Sequence, residues 1–284
     1  MSQTVYQFGH PRPNVVSPFS WYGVRNLVAE QVWLHLGNPT LYVEPFCGTC
    51  SVLLARPNPR GREIVNDLSP WLVNFWRAMR SEPDRMARIY FQHLTNLNNR
   101  HLARLKVLLR EKEQWITTNL ADPQWHSVTV AAHWYIGQRN TFWGKFMVGN
   151  RRPQLKMGRK YRHPFFEHKQ DRERIQARLQ EVEIYHGDWT GVLHHLDDSS
   201  NAAVFLDSPY DDICRRNADH YEVELRPELA QEVALWGVAH AGPQLKVAMC
   251  GWEGDYDLPP DWPSIWGGAT DGRMAHLDRI WFSA

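Results

Sequence analysis

Long apolar runs are missing from this sequence. No stretch approaches the ~20 residues that a helix needs to cross a bilayer. The opening MSQTVYQFGHPRPN also lacks the basic-then-apolar pattern of a signal peptide. The expected setting is therefore the cytoplasm, with no membrane partner. Cysteine is scarce. Cys47, Cys50, Cys214 and Cys250 are too few to staple a chain of 284 residues. Only two of them are close in sequence, so the spacing of a four-cysteine zinc site is absent and no metal is expected. Excess charge is lacking as well. The formal net charge is +1, so the chain as a whole does not announce a nucleic-acid partner. No internal repeat or low-complexity tract is present.

What is there divides into three zones. The chain is 43% hydrophobic, enough for a large core. In residues 1–80, short apolar runs alternate with helical spacing. LYVEPF (41–46) and EIVND (63–67) read as strands, and SVLLAR (51–56) and PWLVNFWRAMR (70–80) as helices. Residues 81–181 read as helical and polar, and the later half is basic. From Arg139 to Glu181 twelve Lys/Arg face four Asp/Glu, interleaved with Phe142, Trp143, Phe146, Tyr161, Phe165 and Phe166. Residues 182–284 return to alternation. VEIYH (182–186), AAVFLD (202–207), LKVAMC (245–250) and HLDRIWFS (276–283) read as strands, with a helix over 226–240. The pattern predicts an α/β fold, one open and largely parallel sheet split by a helical insert. Ligands bind such sheets at the carboxyl ends of their strands.

Four motifs fall at those ends. In YVEPFCGTCSVLL a strand meets a glycine turn and then a helix, which favours close approach of a ligand to backbone amides. The same stretch holds Cys47-Gly48-Thr49-Cys50, a C-x-x-C that also permits a thiol redox pair. Asp67 ends the second strand about 20 residues past that turn, close to the spacing of a ribose-binding carboxylate, although Asp-Leu-Ser-Pro is equally a helix cap. Asp188 follows the next strand and is equally an N-cap for a helix near Thr190. The fourth motif is VFLDSPYDD, in which a buried strand runs into Asp207-Ser208-Pro209-Tyr210.

That quartet resembles the [D/N/S]-P-P-[Y/F/W] motif of amino-methyltransferases. The remaining blocks resemble the Dam-type DNA N6-adenine methyltransferases in particular. Pro18-Phe19-Ser20-Trp21-Tyr22-Gly23-Val24-Arg25 is similar to that family's P-F-x-x-W-x-G-G-K, one residue shorter before the tryptophan. Glu44-Pro45-Phe46-Cys47-Gly48-Thr49-Cys50 is similar to E-P-F-x-G-x-G, and Asn66-Asp67-Leu68-Ser69 to N-D-x-N. Gln138-Arg139-Asn140-Thr141-Phe142-Trp143-Gly144 resembles N-R-x-x-F-N-G, and Gly187-Asp188-Trp189 resembles G-D-F. The blocks keep the family's order over most of the chain. The departures are Val24 and Cys50 at glycine positions, Arg25 at a lysine position, and Ser208 at a proline position.

The resemblance implies a Rossmann-like methyltransferase sheet, formed by residues 1–80 and 182–284, with a mostly helical target-recognition domain inserted at 81–181. It implies S-adenosyl-L-methionine as cofactor and double-stranded DNA as partner. Trp21, Tyr22, Gly23, Arg25, Glu44, Pro45, Phe46, Cys47 and Gly48 would surround the methionine end of the cofactor. Asp67 would accept from the ribose and Asp188 from the adenine amine. Asp207, Ser208, Pro209 and Tyr210 would act on the target amine, with residue 208 working through its carbonyl and Tyr210 stacking on the base. The basic zone supplies the expected DNA contacts: Arg139, Asn140, Lys145, Arg151, Arg152, Lys156, Arg159, Lys160 and Arg162. Transfer to cytosine N4 or to an RNA base stands as an alternative, as does a descendant that binds DNA without turnover.

Overall fold

In a computed structural model the described residues are 18–19, 21, 25–141, 146–147, 152–155, 166, 168–209, 228–268 and 275–284. They hold a seven-stranded sheet: β1 (Leu41–Glu44), β2 (Arg62–Asp67), β3 (Val182–His186), β4 (Ala202–Leu206), β5 (Leu245–Trp252), β6 (Ser264–Trp266) and β7 (Asp278–Phe282). The spatial order is β3-β2-β1-β4-β5-β7-β6. The first five strands are parallel. β7 runs antiparallel between β5 and β6. The chain therefore winds outward in one direction from β1 and in the other from β4. The strand order reverses between these two neighbours, and a crevice opens there at their carboxyl ends.

Helices cover the sheet. They are α1 (Ala29–Leu36), α2 (Ser51–Leu54), α3 (Pro70–Ser81), α4 (Pro83–Leu94), α5 (Asn99–Asn119), α6 (Val128–Asn140), α7 (Lys169–Leu179) and α8 (Leu229–His240). A 3-10 segment spans Trp189–Asp198. β1 and β4 are buried at every position, as expected of central strands covered on both faces. α3 begins with Ser69, whose hydroxyl accepts from Leu72 N, followed by Pro70 at the first helical position. Pro83 likewise opens α4. A Pro there removes an N–H that would have no partner anyway.

The helices between β2 and β3 do not stand apart from the sheet. One continuous core joins Tyr42, Val65 and Phe205 of the sheet to Trp71, Phe75 and Trp76 of α3 and to Trp134 and Tyr135 of α6. Arg77, 1% exposed, ties the layers together. Its guanidinium donates twice to Ile184 O on β3 (3.0 and 2.8 Å) and to Leu120 O, Asp122 O and Trp125 O beyond α5 (3.2, 2.7 and 3.2 Å). A guanidinium can satisfy several carbonyls at once, so this one side chain serves all four. Among the described residues no helix is long and apolar enough to cross a membrane.

Candidate active site at the reversal of strand order

β1 ends in Glu44 and β4 runs directly into Asp207, so the reversal point carries both carboxylates. They behave differently. Glu44 is 2% exposed and turned into the protein. Its Oε2 accepts from Tyr42 Oη (3.1 Å) and from the Leu53 amide of α2 (3.3 Å). Burial pushes its pKa up to about 8, with the nearby Asp207 charge adding to the rise. Glu44 thus supports the glycine turn from below.

The turn itself is tightly made. Cys47 N donates to Asn66 O, and Cys50 N donates to Cys47 O. Gly48 sits at φ +45°, and a Cβ on it would come within 3.1 Å of the Trp21 ring. Trp76 Nε1 donates to Gly48 O at 2.9 Å. Cys50 also takes the left-handed conformation, at φ 51° and ψ 29°, so the turn needs the backbone of a glycine where the chain supplies a cysteine. Its side chain is fully buried in the core. Burial raises the thiol pKa of both Cys47 and Cys50. That opposes the thiolate a C-x-x-C redox pair needs.

Asp67 closes the neighbouring position. Its two oxygens accept from Gly48 N (3.0 Å) and Ser69 N (2.9 Å), while burial pushes its pKa up to about 6 against those hydrogen bonds. Asp188 is exposed at the end of β3 and caps the 3-10 segment, with Oδ1 accepting from Thr190 N (3.0 Å) and Thr190 Oγ1 (2.6 Å). Both capping bonds use one oxygen. The Phe46 and Trp189 rings stack beside it, 5.9 Å apart and 25° from parallel.

Asp207 is the charged centre of the crevice. Arg25 grips it with two parallel hydrogen bonds, Nη2 to Oδ1 (2.7 Å) and Nε to Oδ2 (3.1 Å). Arg25 is 2% exposed. Its carbonyl accepts the first amides of α1, from Val28 and Ala29. Ser208 is buried, and among the described residues its Oγ has no hydrogen-bond partner. Pro209 follows, half-buried. The crevice thus holds a glycine-bearing cradle, two carboxylates at strand ends suited to hydroxyl or amine donors, and a third carboxylate held by a cation. That arrangement can bind a nucleoside and orient an amine beside it.

A family model for D12 class N6 adenine-specific DNA methyltransferases matches residues 23–234. This chain belongs to that family. The enzyme is therefore an adenine-specific DNA methyltransferase with a Rossmann-like sheet. No curated protein matches the chain.

The methyltransferase's remaining candidate residues divide by position. Tyr22, Gly23, Tyr210, Lys145, Arg151, Lys156, Arg159, Lys160 and Arg162 lie outside the described residues. Trp21, Arg25, Glu44, Pro45, Phe46, Cys47, Gly48 and Asp207 gather around the ends of β1 and β4, with Asp67 and Asp188 at the ends of β2 and β3. Arg152 is exposed. Arg139 is only 9% exposed, with its Nε lacking a hydrogen-bond partner, and half-buried Asn140 donates to Ile136 O within its own helix. Several charges of the basic zone are engaged inside the protein. Arg172 pairs with Asp84, and Arg178 with Glu63. Sequence reasoning missed Asp278, Gly267 and Cys250, all of which crowd Asp207 or its arginine. A buried Asp opening the last strand was the one signal that could have found the first.

Proposed function

We infer that this enzyme transfers the methyl group of S-adenosylmethionine to the N6 amine of an adenine rotated out of a DNA duplex. The observation that carries the reading is the carboxylate of Asp207, followed by Ser208-Pro209, at the point where the strand order reverses. The residues present suit the cofactor. Gly48 leaves room where a Cβ would meet Trp21, the oxygens of Asp67 lie beside the turn, and Asp188 keeps one oxygen outside its cap. In this reading Trp21, Tyr22, Gly23 and Arg25 border the methionine portion and Glu44 braces the turn beneath it. Asp67 takes the ribose and Asp188 the cofactor's adenine amine, with Phe46 and Trp189 alongside.

The lone pair of an adenine amine is delocalised into its ring, so the nitrogen is a poor nucleophile. Asp207 and the carbonyl of residue 208 would each accept one of its N–H bonds. That pulls the nitrogen toward tetrahedral geometry and frees the lone pair. Pro209 stiffens the support and Tyr210 offers a face for the base. Positioning and aimed acceptors supply the rate, with no covalent intermediate. A base inside a duplex must leave the stack to reach this crevice. Residues 81–181, with Arg152 and the basic positions 145–162, are the proposed recognition unit and DNA surface.

The test is transfer from methyl-labelled S-adenosylmethionine to unmethylated DNA of mixed sequence, digested to nucleosides and read by mass spectrometry. Labelled N6-methyladenine is expected. Asp207→Ala should abolish it while holding cofactor affinity within about threefold, since Asp207 acts on the acceptor amine. Label on cytosine N4, or loss of cofactor binding in Asp207→Ala, would refute the assigned role.

A further inference from the structure

Arg25 serves two carboxylates. Beyond its double bond to Asp207, its Nη1 donates to Asp278 Oδ2 (2.7 Å) and to Gly267 O (2.6 Å). Asp278 opens β7 and is 1% exposed. Gly267 pairs with it across the β6–β7 hairpin, with Gly267 N donating to Asp278 O at 2.9 Å. A Cβ on Gly267 would come within 2.5 Å of the Asp278 carboxylate carbon. The hairpin is thus shaped to bring this carboxylate against Arg25. Both residues lie outside the stretch 23–234 that matches the family.

The charge count gives the arrangement a purpose. A guanidinium facing Asp207 alone would neutralise it and draw its electron density away. A second carboxylate on the same guanidinium means that Arg25 divides its single positive charge between Asp207 and Asp278. During transfer the N6–CH3 bond forms as the S–CH3 bond breaks, and the sulfur keeps the bonding pair. The positive charge therefore moves from sulfur to N6 and stays until N6 releases a proton to solvent. A carboxylate whose cation is shared with a second carboxylate stabilises that developing positive charge better than one fully neutralised by its own guanidinium.

We propose that Asp278 is a positioning residue that acts through Arg25, orienting the guanidinium that grips the Asp207 carboxylate and sharing its positive charge. The proposal rests on the assignment of Asp207 above. Among the described residues the other titratable groups around Asp207 are Glu44 from β1 and Cys250 from β5, whose thiol pKa is raised by burial first and by the nearby carboxylates.

Full-length wild type, Asp278→Asn, Asp278→Glu and Gly267→Ala are compared for melting temperature, S-adenosylmethionine affinity and single-turnover methyl transfer to unmethylated DNA. Asp278→Asn should bind the cofactor within about threefold of wild type yet transfer about 10- to 100-fold more slowly. Asp278→Glu should recover most of the rate. If Asp278→Asn does not fold, Gly267→Ala, which displaces the same carboxylate, should give the same slow transfer with cofactor affinity held. A wild-type rate in Asp278→Asn, or a loss that Asp278→Glu does not recover, overturns the proposal alone. No transfer by the wild type overturns the assignment of Asp207 and the proposal together.

Discussion

Cys50 stands where the glycine turn demands a left-handed residue, so Cys50→Gly separates strain from packing. The left-handed backbone at φ 51° costs an L-residue about 1–2 kcal/mol, which glycine would relieve. Against that, the Cys50 side chain is fully buried in the main core. Deleting two buried heavy atoms costs about 2–3 kcal/mol in lost transfer and residual cavity. Glycine adds about 0.5–1 kcal/mol of chain entropy to the unfolded state. Packing and entropy outweigh strain, leaving a net loss of about 1–2 kcal/mol. For a chain of this size that lowers Tm by about 2–8 °C. Cofactor affinity should not change, because the side chain points into the core and the turn already has a glycine's geometry. Differential scanning calorimetry and titration with S-adenosylmethionine measure both quantities. A variant that melts higher, or binds cofactor about tenfold more tightly, would show that the sulfur crowds the ligand and that the packing argument is mistaken.

Ser208→Ala removes a buried hydroxyl that has no partner among the described residues. It should stabilise the fold by up to about 1 kcal/mol and leave transfer within about threefold, because the role proposed for residue 208 uses its carbonyl; a large loss of rate would bring the hydroxyl into the reaction. Arg77→Ala strips four carbonyls of their common donor and should cost about 3–5 kcal/mol in urea unfolding; a loss below about 1 kcal/mol would show that other donors replace it. Glu44 has a folded pKa of about 8, raised above the unfolded value. Its contribution is therefore fully present below the unfolded pKa, near 4.5, and is lost as pH rises through about 8. Glu44→Gln should gain stability relative to wild type across that window and level off above it, and a pH-independent difference would contradict a buried, proton-holding Glu44.

The strands were legible because each apolar run stopped where the sheet edge met polar ligand chemistry. Val182–His186 coincides with its sequence reading, and β1, β2 and β4 differ from theirs by a residue or two at an end. Asp188 was readable as a cap for a local reason, since Asp before Trp-Thr carries its own partner two residues on. The contacts of Arg25 were not readable. Nothing local distinguishes a guanidinium that meets a cofactor carboxylate from one that meets Asp207 and Asp278, which lie 182 and 253 residues away. Only the reversed β7, folded back beside β5, brings that last carboxylate to the reversal point. Arg139 failed to show its burial for a related reason. Its charge marks it for the surface, but it shares α6 with Trp134 and Tyr135, which pack into the core under the sheet. Sequence reveals a site's residues where the chain itself delivers them to a strand end. It is silent where a distant strand supplies the countercharge, as β7 does when it brings Asp278 to Arg25.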